Sequence, residues 1–270
     1  MFVTEPLQAA DETGLDLFAK RNLVAWCVVP FDAAKRGPEA RAQMLKQLGI
    51  TRLAYDWRAE HVETFEEEIV QMKKQGIDFF AFWSFHPAIE PLIRKHKITP
   101  QIWKTVPSPP GDTREEKVEA AVKGLLPLVD KTRSLGCKFG LYNHGGWGGE
   151  PRNMVAVVKW LRAHVKADHV GIVYNLHHGH NHIADFAQVL DQMKPYLLCL
   201  NLNGMNDNAQ PKIVPLGAGR HDLALLTIIA RSGYTGPIGI LDHRSDTDTQ
   251  KTLQQNLAGL EKLLGQMKGK

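Results

Sequence analysis

A chain of 270 residues, 43% of them hydrophobic, is long enough to bury a large core as one domain of the size of an α/β barrel. Its net charge of +4 comes from basic and acidic residues interspersed along the whole length, which excludes the dense positive stripe that phosphate-driven nucleic-acid binding needs. No apolar run approaches the roughly 18 residues of a membrane span, and the opening MFVTEPLQAADETG lacks the basic-then-apolar order of a signal peptide. The chain therefore reads as soluble and cytoplasmic as given, with an exported mature form left open.

Residues 1–21 are mixed and polar and read as an N-terminal arm; residues 22–270 carry a regular pattern. LVAWCVV (23–29) is an apolar strand, and Gly37-Pro38 starts a helix to Leu48. ITRLAYDW (50–57) is the second strand, followed by a charged amphipathic helix (62–75) stopped by Gly76. IDFFAFWS (77–84) precedes a short helix (87–96). TPQIWKTV (99–106) ends at PSPPGD, where Asp112 or Thr113 can cap a long helix to Leu135. CKFGLYNH (137–144) leads through GGWGGEP to a helix ending at Lys166. HVGIVYN (169–175) and YLLCLNLN (196–203) flank a helix from about residue 182 to 194, and a long loop to Arg220 precedes a helix at 222–232. GPIGILD (236–242) and a last helix (248–267) complete the chain.

Eight strand-then-helix units without a second strand cluster predict a single (β/α)8 TIM barrel. No GxGxxG follows the first strand, which argues against an open dinucleotide-binding sheet and against a nucleotide cofactor. Cys27, Cys137 and Cys199 lie in or beside apolar runs with no metal-ligand spacing and read as buried core thiols.

A barrel keeps its chemistry at the C-terminal ends of its strands. Those ends carry Pro30 and Phe31; Asp56, Trp57 and Arg58; Trp83, Ser84 and His86; Trp103 and Lys104; Tyr142, Asn143 and His144; Asn175, His177, His178 and His180; Asn201 and Asn203; and Asp242, His243 and Arg244. The richest is GIVYNLHHGHNH (171–182), an apolar strand that runs into an Asn and four of the chain's twelve histidines. Paired donors and acceptors with aromatic faces are what vicinal hydroxyls and pyranose rings require, so the mouth reads as a carbohydrate site. Trp83 and Trp103 could equally plug the barrel end.

Several stretches, LYNHGGWGGEP, Asn175-Leu176-His177-His178, PLGAGRHD (215–222) and GYTGPIGILDH (233–243), are similar to the xylose-isomerase-like TIM-barrel superfamily. That superfamily includes sugar isomerases and epimerases and the endonuclease IV type of apurinic endonuclease. The resemblance runs from about residue 22 to the end and implies a divalent metal held by carboxylates and histidines. Its ligand positions fall here on Tyr142, Asn175, His178, Asn201 and Asp242, so only His178 is kept and Asp242 is a shortened acid. Tyr and Asn in place of carboxylates remove the charge that Mg²⁺ or Mn²⁺ would favour. Two arrangements remain open: one divalent metal, Zn²⁺ or Mn²⁺, on His178 and Asp242, or a metal-free site in which the same groups hydrogen-bond a sugar.

The expected reaction is proton abstraction next to a carbonyl of a non-phosphorylated or oxidised sugar, in the manner of an isomerase or epimerase. The alternatives are a lyase or hydratase acting on 3-keto-glycosides and an inactive sugar-binding barrel. His144, His178, Lys104 and Asp242 are the catalytic candidates, with His144 or His178 as base and Lys104 and Arg58 facing the oxyanion. Substrate contacts are expected from Asp56, Arg58, Trp83, His86, Trp103, Tyr142, Asn143, Trp147, Asn175, His177, His180, Asn201, Asn203 and His243. GGWGG (145–149) could be a mobile lid or a close backbone approach to ligand, and the LGAGR amides (216–220) could cradle a phosphate. Only Asp56 and Asp242 are well-placed acids, which disfavours a paired-carboxylate hydrolase. The partner expected is a small carbohydrate, with no nucleic acid, no membrane and an oligomeric state the sequence does not give.

Overall fold

A strand that is apolar along its whole length needs cover on both faces, and eight such strands obtain it by closing on themselves inside a ring of helices. The computed structural model describes residues 12–241 and 243–268. Its strands are β1 (Leu23–Trp26), β2 (Arg52–Asp56), β3 (Asp78–Trp83), β4 (Gln101–Thr105), β5 (Phe139–Tyr142), β6 (Val170–Asn175), β7 (Leu197–Leu202) and β8 (Ile238–Leu241). Each pairs in parallel with the next, and β8 closes the barrel on β1 from Leu23 opposite Ile238 to Trp26 opposite Leu241. Between them run α1 (Pro38–Leu48), α2 (Phe65–Lys74), α3 (Ile89–His96), α4 (Arg114–Ser134), α5 (Pro151–Val165), α6 (Phe186–Met193), α7 (Asp222–Arg231) and α8 (Thr249–Lys268). The expected eight-unit barrel is the fold observed. Among the described residues no helix is long and apolar enough to cross a membrane.

Local signals set the element ends. Pro38 occupies the first turn of α1, and Gly49 stops it at φ +72°. Thr113 accepts from the Glu116 amide in a reciprocal capping box that starts α4. β1 is shorter than its apolar run because Cys27 turns to φ +56°, and this early stop brings Trp26 and Cys27 to the mouth.

Strand alternation divides the core in two. The helix-facing layer holds residues such as Leu53, Tyr55, Phe82, Ile102 and Ile172. The barrel interior holds Val24, Trp26, Ala54, Ala81, Trp103, Tyr142, Val173 and Cys199. Trp103 is wholly buried, its indole N–H donating to Gln101 at 2.9 Å, and it fits because Gly140 has no side chain: a Cβ there would lie 2.9 Å from its Cδ1. Cys27, Cys137 and Cys199 are all buried. This plug of Trp and small residues forms the floor of the mouth.

Candidate active site

Interior positions two residues beyond the plug face the C-terminal mouth. Asp56 follows Ala54, Trp83 follows Ala81, Tyr142 follows Gly140, and Asn175 follows Val173. With Arg58, His144, His177, His178 and His243 they line a cavity of about 70 Å³, room for several waters or for part of a small ligand.

Tyr142 is the hub of its polar wall. The Trp26 indole donates to the phenol oxygen at 3.1 Å and the Asn175 side-chain amide donates to it at 2.6 Å. Burial pushes the phenol far above its ordinary value, so it stays protonated. Asn175 is itself held: its carbonyl oxygen accepts from the His177 amide at 3.0 Å. Asn143 clamps the Asn175 backbone from both sides, accepting at 2.7 Å and donating at 3.1 Å.

Imidazoles from three loops form an arc above this wall. Ring centroids are 4.4 Å apart for His144 and His178, 4.7 Å for His178 and His177, and 4.8 Å for His177 and His243. Phe31 extends the arc at 4.2 Å from His243, and the Arg58 guanidinium lies over Phe31 at 5.5 Å. Burial first, and then the neighbouring His178 and His243, push His177 down to about 2. Burial followed by His144 and Lys212 pushes His178 down to about 3. His180 and His243 are lowered as well, chiefly by burial. These four imidazoles are therefore neutral at pH 7.

Asp56 supplies the acid. Its Oδ1 accepts from the Val29 amide at 3.3 Å, while Oδ2 is buried with no hydrogen-bond partner among the described residues. Burial pushes the carboxyl up to about 7, against the pull of Arg58. A group poised there exchanges a proton readily at neutral pH.

Several expected site residues sit elsewhere. Lys104 lies between Ile102 and Val106, both in the helix-side layer, so alternation gives it to the outer face and not to the mouth. Trp103 is sealed in the plug beneath the cavity. His86 packs against Trp57 and Phe65 at 5.0 and 5.7 Å, outside the lining. Trp147 packs on the helix-side core, and its loop forms a short helical turn, Gly146–Gly149, whose Trp147 amide donates to Ser108 at 3.1 Å. A Cβ on Gly148 would lie 1.9 Å from the Val106 carbonyl oxygen, so this glycine serves close backbone packing.

Asn143, Asn201 and Asn203 are buried and outside the lining; Asn203 donates to the carbonyls of Gly204 at 2.7 Å and Lys212 at 3.1 Å. His180 stands behind His177, with its Nδ1 3.1 Å from the His177 carbonyl oxygen. The LGAGR amides are taken: Gly217 and Gly219 donate to Asp222 Oδ2 at 2.7 and 2.9 Å, and Met205 donates to Oδ1 at 2.7 Å, so an internal carboxylate fills the expected phosphate cradle. Asp242 lies outside the described residues.

The structure adds Trp26, Cys27, Phe31 and Leu241 to the cavity wall. Lys212, exposed and outside that lining, is among the causes after burial that lower His177, His178, His180 and His243. Phe31 was legible as a strand end; Lys212, deep in the long loop after β7, carried no local signal.

Two of the positions where the resemblance would place metal ligands, Tyr142 and Asn175, do not suit a divalent metal, while Asp242, expected to hold one with His178, lies outside the described residues. Tyr142 already accepts two hydrogen bonds, and the Asn175 amide nitrogen and oxygen are both engaged within the protein. Among the described residues no three His, Cys, Asp or Glu side chains are grouped to hold an ion. The positions that would supply anionic oxygen instead bond to each other.

No family model and no curated protein matches the sequence. Solved structures do match in fold. The chain is similar to 3-keto-D-glucoside 4-epimerase from E. coli, at 15% identity and TM-score 0.64 over 90% of this chain and 99% of that one. It is similar to a magnesium-bound xylose isomerase-like TIM-barrel protein from Mycobacterium smegmatis, at 14% identity and TM-score 0.59 over 94% and 98%. It is also similar to D-psicose 3-epimerase from Clostridium cellulolyticum H10, at 14% identity and TM-score 0.59 over 92% and 95%. At these identities the likeness carries the architecture: the chain has the fold of the xylose-isomerase-like TIM barrels.

Proposed function

We propose that the protein is an enzyme acting on a small carbohydrate, moving a proton on the carbon next to a carbonyl of a sugar or keto-sugar in an isomerisation or epimerisation. The observation that carries this reading is that Asp56, buried and poised near neutrality, lines the same cavity as His144, His178 and Arg58. Ionised Asp56 takes the proton, because its affinity is matched to neutral pH. His178, pushed so low, is a poor proton acceptor, but as a neutral imidazole it can donate to the developing enolate oxygen. Arg58 adds positive charge at the same edge. His144, beside His178 at the exposed end of the arc, can return a proton to the opposite side. The rings of Trp83 and Tyr142, packed edge to face with centroids 4.6 Å apart, offer apolar surface to the sugar ring. One of the similar barrels is named for epimerising carbon 4 of a 3-keto sugar, the carbon beside the carbonyl, which supports the reaction class.

The test is hydrogen exchange into D₂O across a panel of ketoses and 3-keto-glycosides, followed by proton NMR. Wild-type protein is expected to wash out the C–H next to the carbonyl of at least one sugar, and Asp56→Asn to lose that exchange. Sugar binding without exchange on any member would make the barrel a binding protein.

A further inference from the structure

We propose that Asp32 is a positioning residue for the mouth: with Arg36 it clasps the loop after β1 to the loop after β8, and so holds Phe31 and His243 together as one wall. The inference rests on the sugar-site reading above and gives that site a residue outside its lining. The barrel closes where β8 meets β1, strands from opposite ends of the chain, so the loops leaving them are joined by no short connection. Side chains make the join. Asp32 Oδ1 accepts from the Ala34 amide at 3.1 Å, from the Thr249 amide that opens α8 at 3.2 Å, and from Arg36 Nη1 at 2.8 Å. Its Oδ2 accepts from the Arg36 amide at 3.1 Å and from Nη1 at 3.0 Å. Arg36 carries the tie onward, Nη2 donating to both oxygens of Asp248 at 2.9 and 3.0 Å. A planar guanidinium that forks to two carboxylates fixes direction as well as distance.

The Asp32 side chain is 1% exposed, so its end of the clasp is shielded from water and salt. One backbone bond, from the Ala33 amide to the Thr247 carbonyl at 3.0 Å, lies alongside. Neither Asp32 nor Arg36 lines the cavity, but the residues that the clasp holds do. Phe31 directly precedes Asp32, and His243 stands on the loop that leads to Asp248. Their rings meet across the seam with centroids 4.2 Å apart. Phe31 also backs the Arg58 guanidinium at 5.5 Å, and His243 ends the imidazole arc beside His177 at 4.8 Å. Releasing the clasp therefore loosens the ring behind Arg58 and the end of the arc together.

The experiment is NMR on protein with labelled Phe and His rings, reading ring-to-ring NOEs in wild type, Asp32→Asn and Arg36→Met, with sugar-proton exchange into D₂O measured alongside. Asp32→Asn keeps the side-chain volume and turns an amide donor toward the donors of Arg36. Wild type is expected to show an NOE between Phe31 and His243, and both variants to lose it. The NOE between His144 and His178, whose ring centroids lie 4.4 Å apart on the β5 and β6 side, is expected to stay in all three proteins. Exchange is expected to fall about tenfold or more in the variants, with its pH midpoint unmoved, because misplaced binding groups cost rate without altering the base. A Phe31–His243 NOE that is absent from wild type or persists in both variants overturns the proposal. Joint loss of both NOEs, or failure of both variants to fold, also overturns it, since the clasp would then be a general stabiliser. If Arg36→Met alone fails to fold, Asp32→Asn decides. Unaltered exchange in a variant that has lost the Phe31–His243 NOE removes the positioning role. Absence of exchange from wild type on every sugar sinks the proton-transfer reading, and the NOEs still judge the clasp.

Discussion

The side-chain amide of Asn175 donates to the phenol oxygen of Tyr142 across 2.6 Å, and the Trp26 indole donates to the same oxygen at 3.1 Å. One phenol thus satisfies two buried donors from strands on different sides of the barrel. Tyr142→Phe keeps the ring and strands both N–H groups. Each stranded buried donor costs about 1–3 kcal/mol, so the variant is expected to lose about 2–6 kcal/mol in denaturant unfolding. A loss no larger than that of a surface substitution, about 0.5 kcal/mol, would mean that the bonds are not made.

The same bonds bear on metal dependence. Oxygens engaged by N–H donors are poor ligands for a hard cation, which needs free anionic oxygen. Dialysis against a chelator is therefore expected to leave sugar-proton exchange at its original rate. Loss of exchange, restored by Zn²⁺ or Mn²⁺, would put a cation into the chemistry and point to ligands other than Tyr142 and Asn175, His178 and Asp242 first among them.

Strand ends are where the sequence was most informative. Asp56, Trp83, Tyr142, Asn175, His177 and His178 each close or follow an apolar run, and the barrel brings all of them to the mouth. Lys104 shows why a strand end is not enough: its phase along β4 puts it on the helix side, a distinction that depends on which neighbours enter the interior. β1 ends at Trp26, where Cys27 takes a left-handed conformation that a non-glycine residue does not announce, so the apolar run alone did not mark Trp26 as the strand end. The loop after β7 is tied back by a hydrogen bond from the Asn203 side-chain amide to the Lys212 carbonyl, nine residues away in a stretch without periodicity. The same residue types elsewhere, such as Asn143 under Asn175, are spent on holding backbone, and composition does not separate the two uses.

Neutral imidazoles can be observed directly. His177 and His178, pushed down to about 2 and about 3, lie far below the ordinary value near 6.5. Their ring-proton resonances are expected to stay flat from pH 8 to pH 5. Because the unfolded chain takes up these protons first, stability is full above about pH 6.5 and is lost as pH falls below it, by on the order of 1 kcal/mol per pH unit for each imidazole. A titration midpoint near 6.5 for either ring would contradict the neutral arc.

Packing of the turn after β5 has its own test. Gly148→Ala places a methyl carbon against the Val106 carbonyl oxygen, where a Cβ would lie 1.9 Å away. Backbone on both sides cannot yield cheaply, so a loss of about 2 kcal/mol or more is expected. Thermal unfolding measures it. A variant as stable as wild type would show that the turn moves freely, as a lid would.

Asp56 ties stability to the chemistry. Its carboxyl is raised to about 7 in the native barrel, against an ordinary value of 3.8. Between these two values the folded protein keeps a proton that the unfolded chain has released, so this group's contribution to stability falls as pH rises from about 4 to about 7 and stays low above that. Asp56→Asn removes the buried charge while keeping an acceptor for the Val29 amide. The variant's unfolding temperature relative to wild type should therefore climb between pH 5 and pH 8, by an amount worth up to a few kcal/mol. Over the same range wild-type exchange is expected to rise with a midpoint near pH 7, as Asp56 ionises and becomes a base. A stability difference independent of pH, or an exchange rate flat through neutrality, would take the proton-transfer role away from Asp56.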